Sequence, residues 1–291
     1  MKWKLLGASV RGPSHDRQSL PNQDAIAWRP ESGDGSSRAM LCVADGHGSA
    51  LRADVGSRFA VTVVLDSLCE FVANLTDPPD LTACKREAEQ RLPIGIERTW
   101  KKVVEQHLEE MPLSPEDFAT VEEKGGATAR QKLEHDALSA YGTTFVAVLV
   151  TPWFVLCAQI GDGDLLVVNG DGTVERPLPD NPLHFANETT SLCLPDAWTN
   201  VQVHFQAITV AAPVLFLLAT DGYKNAHRSL EGFFRTAREF ADALPESGVD
   251  EVNGYLPELL TQASQKGSGD DVTVGLVWRA DAAPLPPPGD V

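Results

Sequence analysis

Short, almost wholly apolar runs that stop at an aspartate constrain this chain more than any other feature. Residues 41–44 lead into Asp45-Gly46, 155–160 into Gly161-Asp162-Gly163, and 215–220 into Asp221-Gly222. The runs 39–44, 144–150, 154–160, 165–169, 214–219 and 272–278 are rich in Val, Leu and Phe. They are too short and too evenly apolar to be amphipathic helices, so they predict buried strands. Asp270-Asp271 opens the last of these runs, and Asp24 precedes a further apolar stretch, 25–28.

Between the strands lie segments with apolar residues at helical spacing: 53–73, 81–110, 230–244 and 252–264. Residues 151–153 and Gly170-Asp171-Gly172 read as hairpin connections. The polar stretch 122–130 predicts an exposed loop, and the proline-bearing stretch 176–198 a long irregular excursion of the kind often tied to function. The order is strands, helices, a run of strands, helices and a last strand. That is not the regular alternation of a doubly wound sheet; it predicts an α+β sandwich with helices covering antiparallel sheets. One domain over residues 1–280 and a Pro-rich tail over 281–291 follow.

Charge narrows the function. Lys and Arg number 24 against 41 Asp and Glu, a net charge of −17. Nucleic-acid binding and attachment to an anionic membrane both need clustered cations, and neither is expected. The most apolar stretch, 208–219, is broken by Pro213 and far short of a membrane span. The first ten residues are too short in apolar content for a secretory signal. The 5 cysteines form no CxxC pair and read as reduced thiols of a cytoplasmic protein.

Carboxylates at the mouths of buried strands can meet at one edge of a sheet. Gathered there, they repel one another unless cations neutralise them. Oxygen donors without a Cys or His cluster suit hard cations such as Mg²⁺ or Mn²⁺. Taken singly, an Asp-Gly after a strand is a turn, and Asp171-Gly172 is assigned to one.

The flanking residues add a resemblance. Asn22-Gln23-Asp24-Ala25, Val43-Ala44-Asp45-Gly46-His47-Gly48, Tyr141-Gly142-Thr143-Thr144, Ile160-Gly161-Asp162-Gly163-Asp164, Ala219-Thr220-Asp221-Gly222 and Gly269-Asp270-Asp271-Val272-Thr273-Val274 stand in that order along the chain. This ordered set resembles the metal-dependent serine/threonine protein phosphatases of the PP2C (PPM) family, and the segment 7–24 its bacterial branch. The resemblance implies an αββα sandwich, two central antiparallel sheets flanked by helix pairs, with two Mn²⁺ or Mg²⁺ ions at one end. By that resemblance Asp45 would bridge the two ions, Gly46 (through its carbonyl) and Asp24 would serve the second, and Asp221 and Asp270 the first. Asp162 matches the position that supports a third, weaker ion, and His47 is the candidate general acid. Gly142, Thr143 and Thr144 read as structural.

Such a site would activate a water for direct in-line attack on phosphoserine or phosphothreonine, with no covalent enzyme intermediate. The implied partner is a phosphorylated protein, set against a cognate serine/threonine kinase in a signalling system, with the chain itself a monomer. Several positions depart from the family pattern. Ser19 stands where many members carry a phosphate-binding Arg, leaving Arg17, His15 or Arg11 as substitutes. Gln23 stands where some members have a ligating Glu, Gly163-Asp164 where a Ser-Arg pair is usual, and Asp271 where Asn is usual. These departures motivate an alternative: a phosphoprotein-binding or regulatory module with the same fold and weak or no catalysis. The retained Asp24, Asp45, Asp221 and Asp270 argue against it. A phosphoacceptor role for Asp221 would need a shorter, regularly alternating βα chain.

Overall fold

The computed structural model describes residues 1–35, 37–178, 190–209 and 211–287. Its strands are β1 Trp3–Val10, β2 Ala25–Arg29, β3 Asp34–Gly35, β4 Ala39–Ala44, β5 Phe145–Val150, β6 Phe154–Ile160, β7 Asp164–Val168, β8 Val174–Glu175, β9 Gln202–Ala207, β10 Leu215–Ala219 and β11 Val272–Arg279. The helices are α1 Pro13–Gln18, α2 Ala53–Ala73, α3 Leu81–Gln90, α4 Leu92–Glu110, α5 Pro115–His135, α6 Asp221–Asn225, α7 Leu230–Ser247 and α8 Val249–Ala263. One sheet has the order β3-β1-β11-β10-β7-β8, the other β2-β4-β5-β6-β9, and the strand pairs in both are antiparallel.

Side-chain alternation explains why the strands read as continuous apolar runs. On β4, Ala39, Leu41 and Val43 face the second sheet, while Met40, Cys42 and Ala44 face helices. On β10, Phe216 and Leu218 enter the space between the sheets, and Leu215, Leu217 and Ala219 pack outward among residues of α7 and α8. Three apolar layers result. The middle one lies between the sheets, one lies under α2, α3 and α4, and one under α7 and α8. This is the expected αββα sandwich. Fully burying a Leu such as Leu41 or Leu218, both at 0% exposure, is worth about 1.5–3 kcal/mol.

Two local expectations are corrected. Residues 122–130 lie inside α5 rather than in a loop. A capping box between Ser114 and Asp117 and Pro115 in the first turn start the helix, and Arg130 pairs with both Glu122 and Glu134. The glycine signal survives as a local break, since Gly126 adopts φ 75°. The stretch 81–110 is two helices, not one. Pro93 has no N–H to continue a hydrogen-bond ladder, and a new helix starts at Leu92.

Of the excursion 176–198, residues 179–189 lie outside the described residues. Its ends return to the fold: Leu178 is buried between the sheets, and Leu192 and Cys193 pack under the α2–α4 layer. The tail, expected to lie off the core, touches it. Leu285 packs against the α7–α8 layer, and Arg238 donates to the Pro286 carbonyl. The first residues form β1, paired with β11 along its whole length. The five cysteines are free. No helix among the described residues is long and apolar enough to cross a membrane.

Candidate metal and active site

Antiparallel pairing carries the acidic residues to one end of the sandwich. Ala44 at the end of β4 pairs with Ala25 at the start of β2, so Asp45 and Asp24 are neighbours. Ala219 at the end of β10 pairs with Asp164 and Val274, which sets Asp221 beside the turn before β7 and the start of β11. Carboxylate oxygens of Asp45, Asp162 and Asp221 lie within 4.8 Å of one another.

Each of the three is held by local hydrogen bonds. The Asp45 carbonyl accepts from the Thr144 amide at 2.8 Å and the Thr143 hydroxyl at 2.9 Å, which leaves the side chain free to turn inward. The turn carrying Asp162 is pinned by Gln159 Nε2, which donates to the Gly163 carbonyl at 2.6 Å, and by the Gly161 amide, which donates to Thr190 Oγ1 at 3.1 Å. Asp221 opens α6, and its carboxylate accepts from Asn225 Nδ2 at 3.0 Å. The next residue must be glycine: a Cβ at Gly222 would lie 2.0 Å from the Asp271 carbonyl oxygen. Gly46 is equally confined, with the Ala53 carbonyl 2.6 Å from the place of a Cβ.

Electrostatics at this end are unfavourable to anions. Burial, reinforced by Asp24, Asp221 and Asp162, raises the Asp45 carboxyl well above the ordinary range. Burial together with Asp162 and Asp270 pushes Asp221 up to about 6. Asp24 is pushed up to about 8 by burial, with Asp271 and Asp221 adding, although Thr273 and Thr220 hydroxyls donate to its Oδ2 at 2.7 and 2.8 Å. A bound cation would relieve this repulsion, and the donor set is all oxygen. The residues present therefore fit hard divalent ions.

Asp270 and Asp24 do not join the three-carboxylate cluster. Asp270, half exposed at 53%, lies instead with His15 and Asp271. His47 begins the segment after Asp45 and Gly46, its amide donating to the Gly142 carbonyl at 2.9 Å. Burial lowers the His47 imidazole below its usual value against the opposing pull of Asp162, with Lys132 adding to the decrease. The phosphate-site candidates sit on or beside α1. Arg17 is exposed, Arg11 is paired with Asp16 and donates to the Leu20 carbonyl, and His15 is bound to Asp271. Asp171 accepts from the amide and hydroxyl of Thr173 within the β7–β8 turn, as its turn assignment requires.

Some residues that build this end were missed by sequence reasoning. Asp164, at 0% exposure, pairs with Arg176 at 2.5 Å and Lys224 at 3.2 Å, tying β7 to α6. Asp271 is a hub: its oxygens accept from the Gly12 amide at 2.7 Å, the Gln23 amide at 2.6 Å and His15 Nδ1 at 2.8 Å. The signal for both was present as a departure from the family pattern, an Asp where Ser-Arg or Asn is usual, but its partners are remote in sequence.

The raised carboxyls make a prediction. Above about pH 4 the metal-free native chain holds protons that the unfolded chain has lost, on Asp221 up to about pH 6, on Asp24 up to about pH 8, and on the strongly raised Asp45. Stability from these groups is present below pH 4 and falls as pH rises through the folded values. Thermal unfolding in EDTA should therefore show Tm falling from pH 5 to pH 8, and Asp24→Asn should flatten that slope. A wild-type Tm that rose over this window would contradict the assignment.

Comparisons with known proteins agree with the geometry. A family model described as protein phosphatase 2C matches residues 11–261. Serine/threonine-protein phosphatase 3 of Escherichia coli (strain K12) is 26% identical over 296 residues, covering 97% of this chain and 100% of that protein. Among solved structures, serine/threonine phosphatase Stp1 from Staphylococcus aureus superposes with a TM-score of 0.57 at 18% identity, over 94% of each chain. The catalytic domain of serine threonine protein phosphatase PstP, solved with 2 manganese ions, gives 0.52 at 17% identity over 95% of this chain and 98% of its own. With the model match spanning most of its length, the chain belongs to the protein phosphatase 2C family.

Proposed function

We propose that this protein is a metal-dependent phosphatase that hydrolyses phosphoserine and phosphothreonine in proteins. The observation that carries this reading is the convergence of Asp45, Asp162 and Asp221 at the end of both sheets, where burial and neighbouring carboxylates push Asp45 and Asp221 toward protonation. The manganese ions of the PstP catalytic domain support the same choice of metal. Asp45, Asp221, Asp162, Asp24, Asp270 and the Gly46 carbonyl are the groups that would hold two Mn²⁺ or Mg²⁺ ions and a third, weaker one. When bound, such ions supply positive charge for the phosphoryl oxygens and lower the pKa of a water that serves as nucleophile.

The chain's own residues do the rest. Asp45 directly follows β4, and the closeness of its carboxylate to those of Asp162 and Asp221 supports a bridging role for it. His47, within the electrostatic reach of Asp162, delivers a proton to the departing Ser or Thr oxygen. Burial makes its imidazolium the stronger acid, and Asp162 opposes that lowering. The retained carboxylates disfavour the non-catalytic alternative. A cognate kinase, a monomeric state and a cytoplasmic location complete the reading.

The phosphate anchor is assigned to Arg17. Of the three candidates on or beside α1, it is the one exposed cation for which no ion pair is recorded among the described residues. A guanidinium suits bidentate phosphate recognition. Arg17→Ala should raise KM for a phosphopeptide several-fold, about 1 kcal/mol of lost charge-assisted binding, with folding intact. An unchanged KM beside a raised one in Arg11→Ala or His15→Ala would move the role to that residue, and no change in any of the three would leave the phosphate to the metal ions alone. The function itself is tested by phosphate release from matched phosphoserine, phosphothreonine and phosphotyrosine peptides in Mn²⁺. Turnover of the first two is expected, and turnover of none of them would reject the reading.

A further inference from the structure

His15 is 8% exposed, yet only one of its ring nitrogens is engaged. Its Nδ1 lies 2.8 Å from Asp271 Oδ2. The same carboxylate accepts from the Gly12 and Gln23 amides, so both of its oxygens act as acceptors and His15 Nδ1 must carry the proton. The other nitrogen, Nε2, has no hydrogen-bond partner among the described residues and faces Asp270 Oδ1 at 4.0 Å. Two donors that each sit about 2.0–2.2 Å from a shared cation are no more than about 4.3 Å apart. A carboxylate behind a histidine, with the far nitrogen aimed at a second carboxylate, is the arrangement in which imidazole binds metals: the carboxylate fixes the tautomer, orients the ring and raises its basicity.

We propose that His15 Nε2 and the Asp270 carboxylate together hold one divalent cation, with Asp271 as the residue that orients the imidazole. The assignment rests on the phosphatase reading in one respect: Asp270 is shared with the dimetal site. It gives this chain a nitrogen donor in a site otherwise built of oxygen. It also gives a reason for the joint presence of His15 and Asp271. An Asn at 271 would present an amide donor to at least one of three groups that are themselves donors. Imidazole favours first-row transition ions, whereas carboxylate and water suit Mg²⁺ as well. The site should therefore prefer Mn²⁺ over Mg²⁺ more strongly than an all-oxygen site. Arg17 keeps the phosphate role, because His15 is bound to Asp271 and faces the Asp270 carboxylate.

The test uses the full chain loaded with Mn²⁺ and pulsed electron paramagnetic resonance, which detects a directly bound nitrogen. The wild type should show a ¹⁴N coupling that becomes a ¹⁵N coupling when histidine alone is ¹⁵N-labelled. The coupling should vanish in His15→Gln and persist in His47→Gln. Calorimetry should show the Mn²⁺ affinity of His15→Gln falling about tenfold, with Mg²⁺ affinity changed by much less. No nitrogen coupling in the wild type, or one that survives His15→Gln, would overturn the proposal. If His15→Gln fails to fold, the pair of wild type and His47→Gln decides: a coupling lost with His47 rejects His15. Hydrolysis of para-nitrophenyl phosphate reports separately on the phosphatase reading. A nitrogen-bound ion without turnover would sink that reading and spare this one, while turnover without nitrogen coupling would do the reverse.

Discussion

Asp45→Ala should lower kcat/KM for para-nitrophenyl phosphate by roughly 10³-fold or more, equivalent to about 4 kcal/mol of transition-state stabilisation. No other carboxylate change should exceed it. Asp45 is the carboxylate on which Asp24, Asp162 and Asp221 all act, and its loss would take a donor from any cation held there. The effect is separable from misfolding by its sign. Removing a buried carboxyl that its neighbours repel should leave the metal-free protein as stable as the wild type or more so, while Mn²⁺ should no longer raise Tm. Asp171→Ala is the control. Among the described residues that carboxylate serves only the Thr173 turn, and its removal should leave turnover unchanged. An active Asp45→Ala beside an inactive Asp171→Ala would overturn the placement of the site.

The second large effect is on folding. Asp271→Ala removes the acceptor of two backbone amides and one imidazole in a carboxylate that is 3% exposed. Buried donors left without partners cost about 1–3 kcal/mol each, and breaking a buried ionic network about 3–5 kcal/mol in all. Against a total stability of about 5–15 kcal/mol, that loss should be plain as a lower urea midpoint at unchanged m. The hub joins the segment before α1, the residue before Asp24 and the start of β11. Mn²⁺ affinity should therefore fall with stability. A midpoint within experimental error of wild type would mean that water replaces the carboxylate and the hub is not structural.

These residues show what was legible in the sequence. The strands over 39–44, 154–160 and 272–278 were readable because both of their faces are buried, which leaves a continuous apolar run. The Asp-Gly endings were readable because a chain that turns at a crowded sheet end needs glycine, as Gly46 and Gly222 show. Helix α5 was not readable. Its Gly125-Gly126 pair carries a loop signal, and its stability comes from the Ser114 cap and the buried Leu133. Nor was the separation of Asp270 from the three-carboxylate cluster. That depends on His15, which lies 255 residues away in sequence from Asp270 and meets it only because β1 and β11 pair end to end. The ion pairs of Asp164 with Arg176 and Lys224 are hidden for the same reason. A charge buried at a strand start announces nothing about the distant partner that neutralises it.

The central claim is that the carboxylate cluster acts through bound divalent cations, and a metal titration of wild-type turnover tests it most directly. Protein stripped with EDTA and dialysed should hydrolyse para-nitrophenyl phosphate at the background rate. Added Mn²⁺ should restore turnover in a saturable manner and raise Tm by mass action, about 2.7 kcal/mol of stabilisation at 100 times the dissociation constant. Turnover that persisted undiminished in EDTA, with no rise in Tm on adding Mn²⁺, would contradict the account.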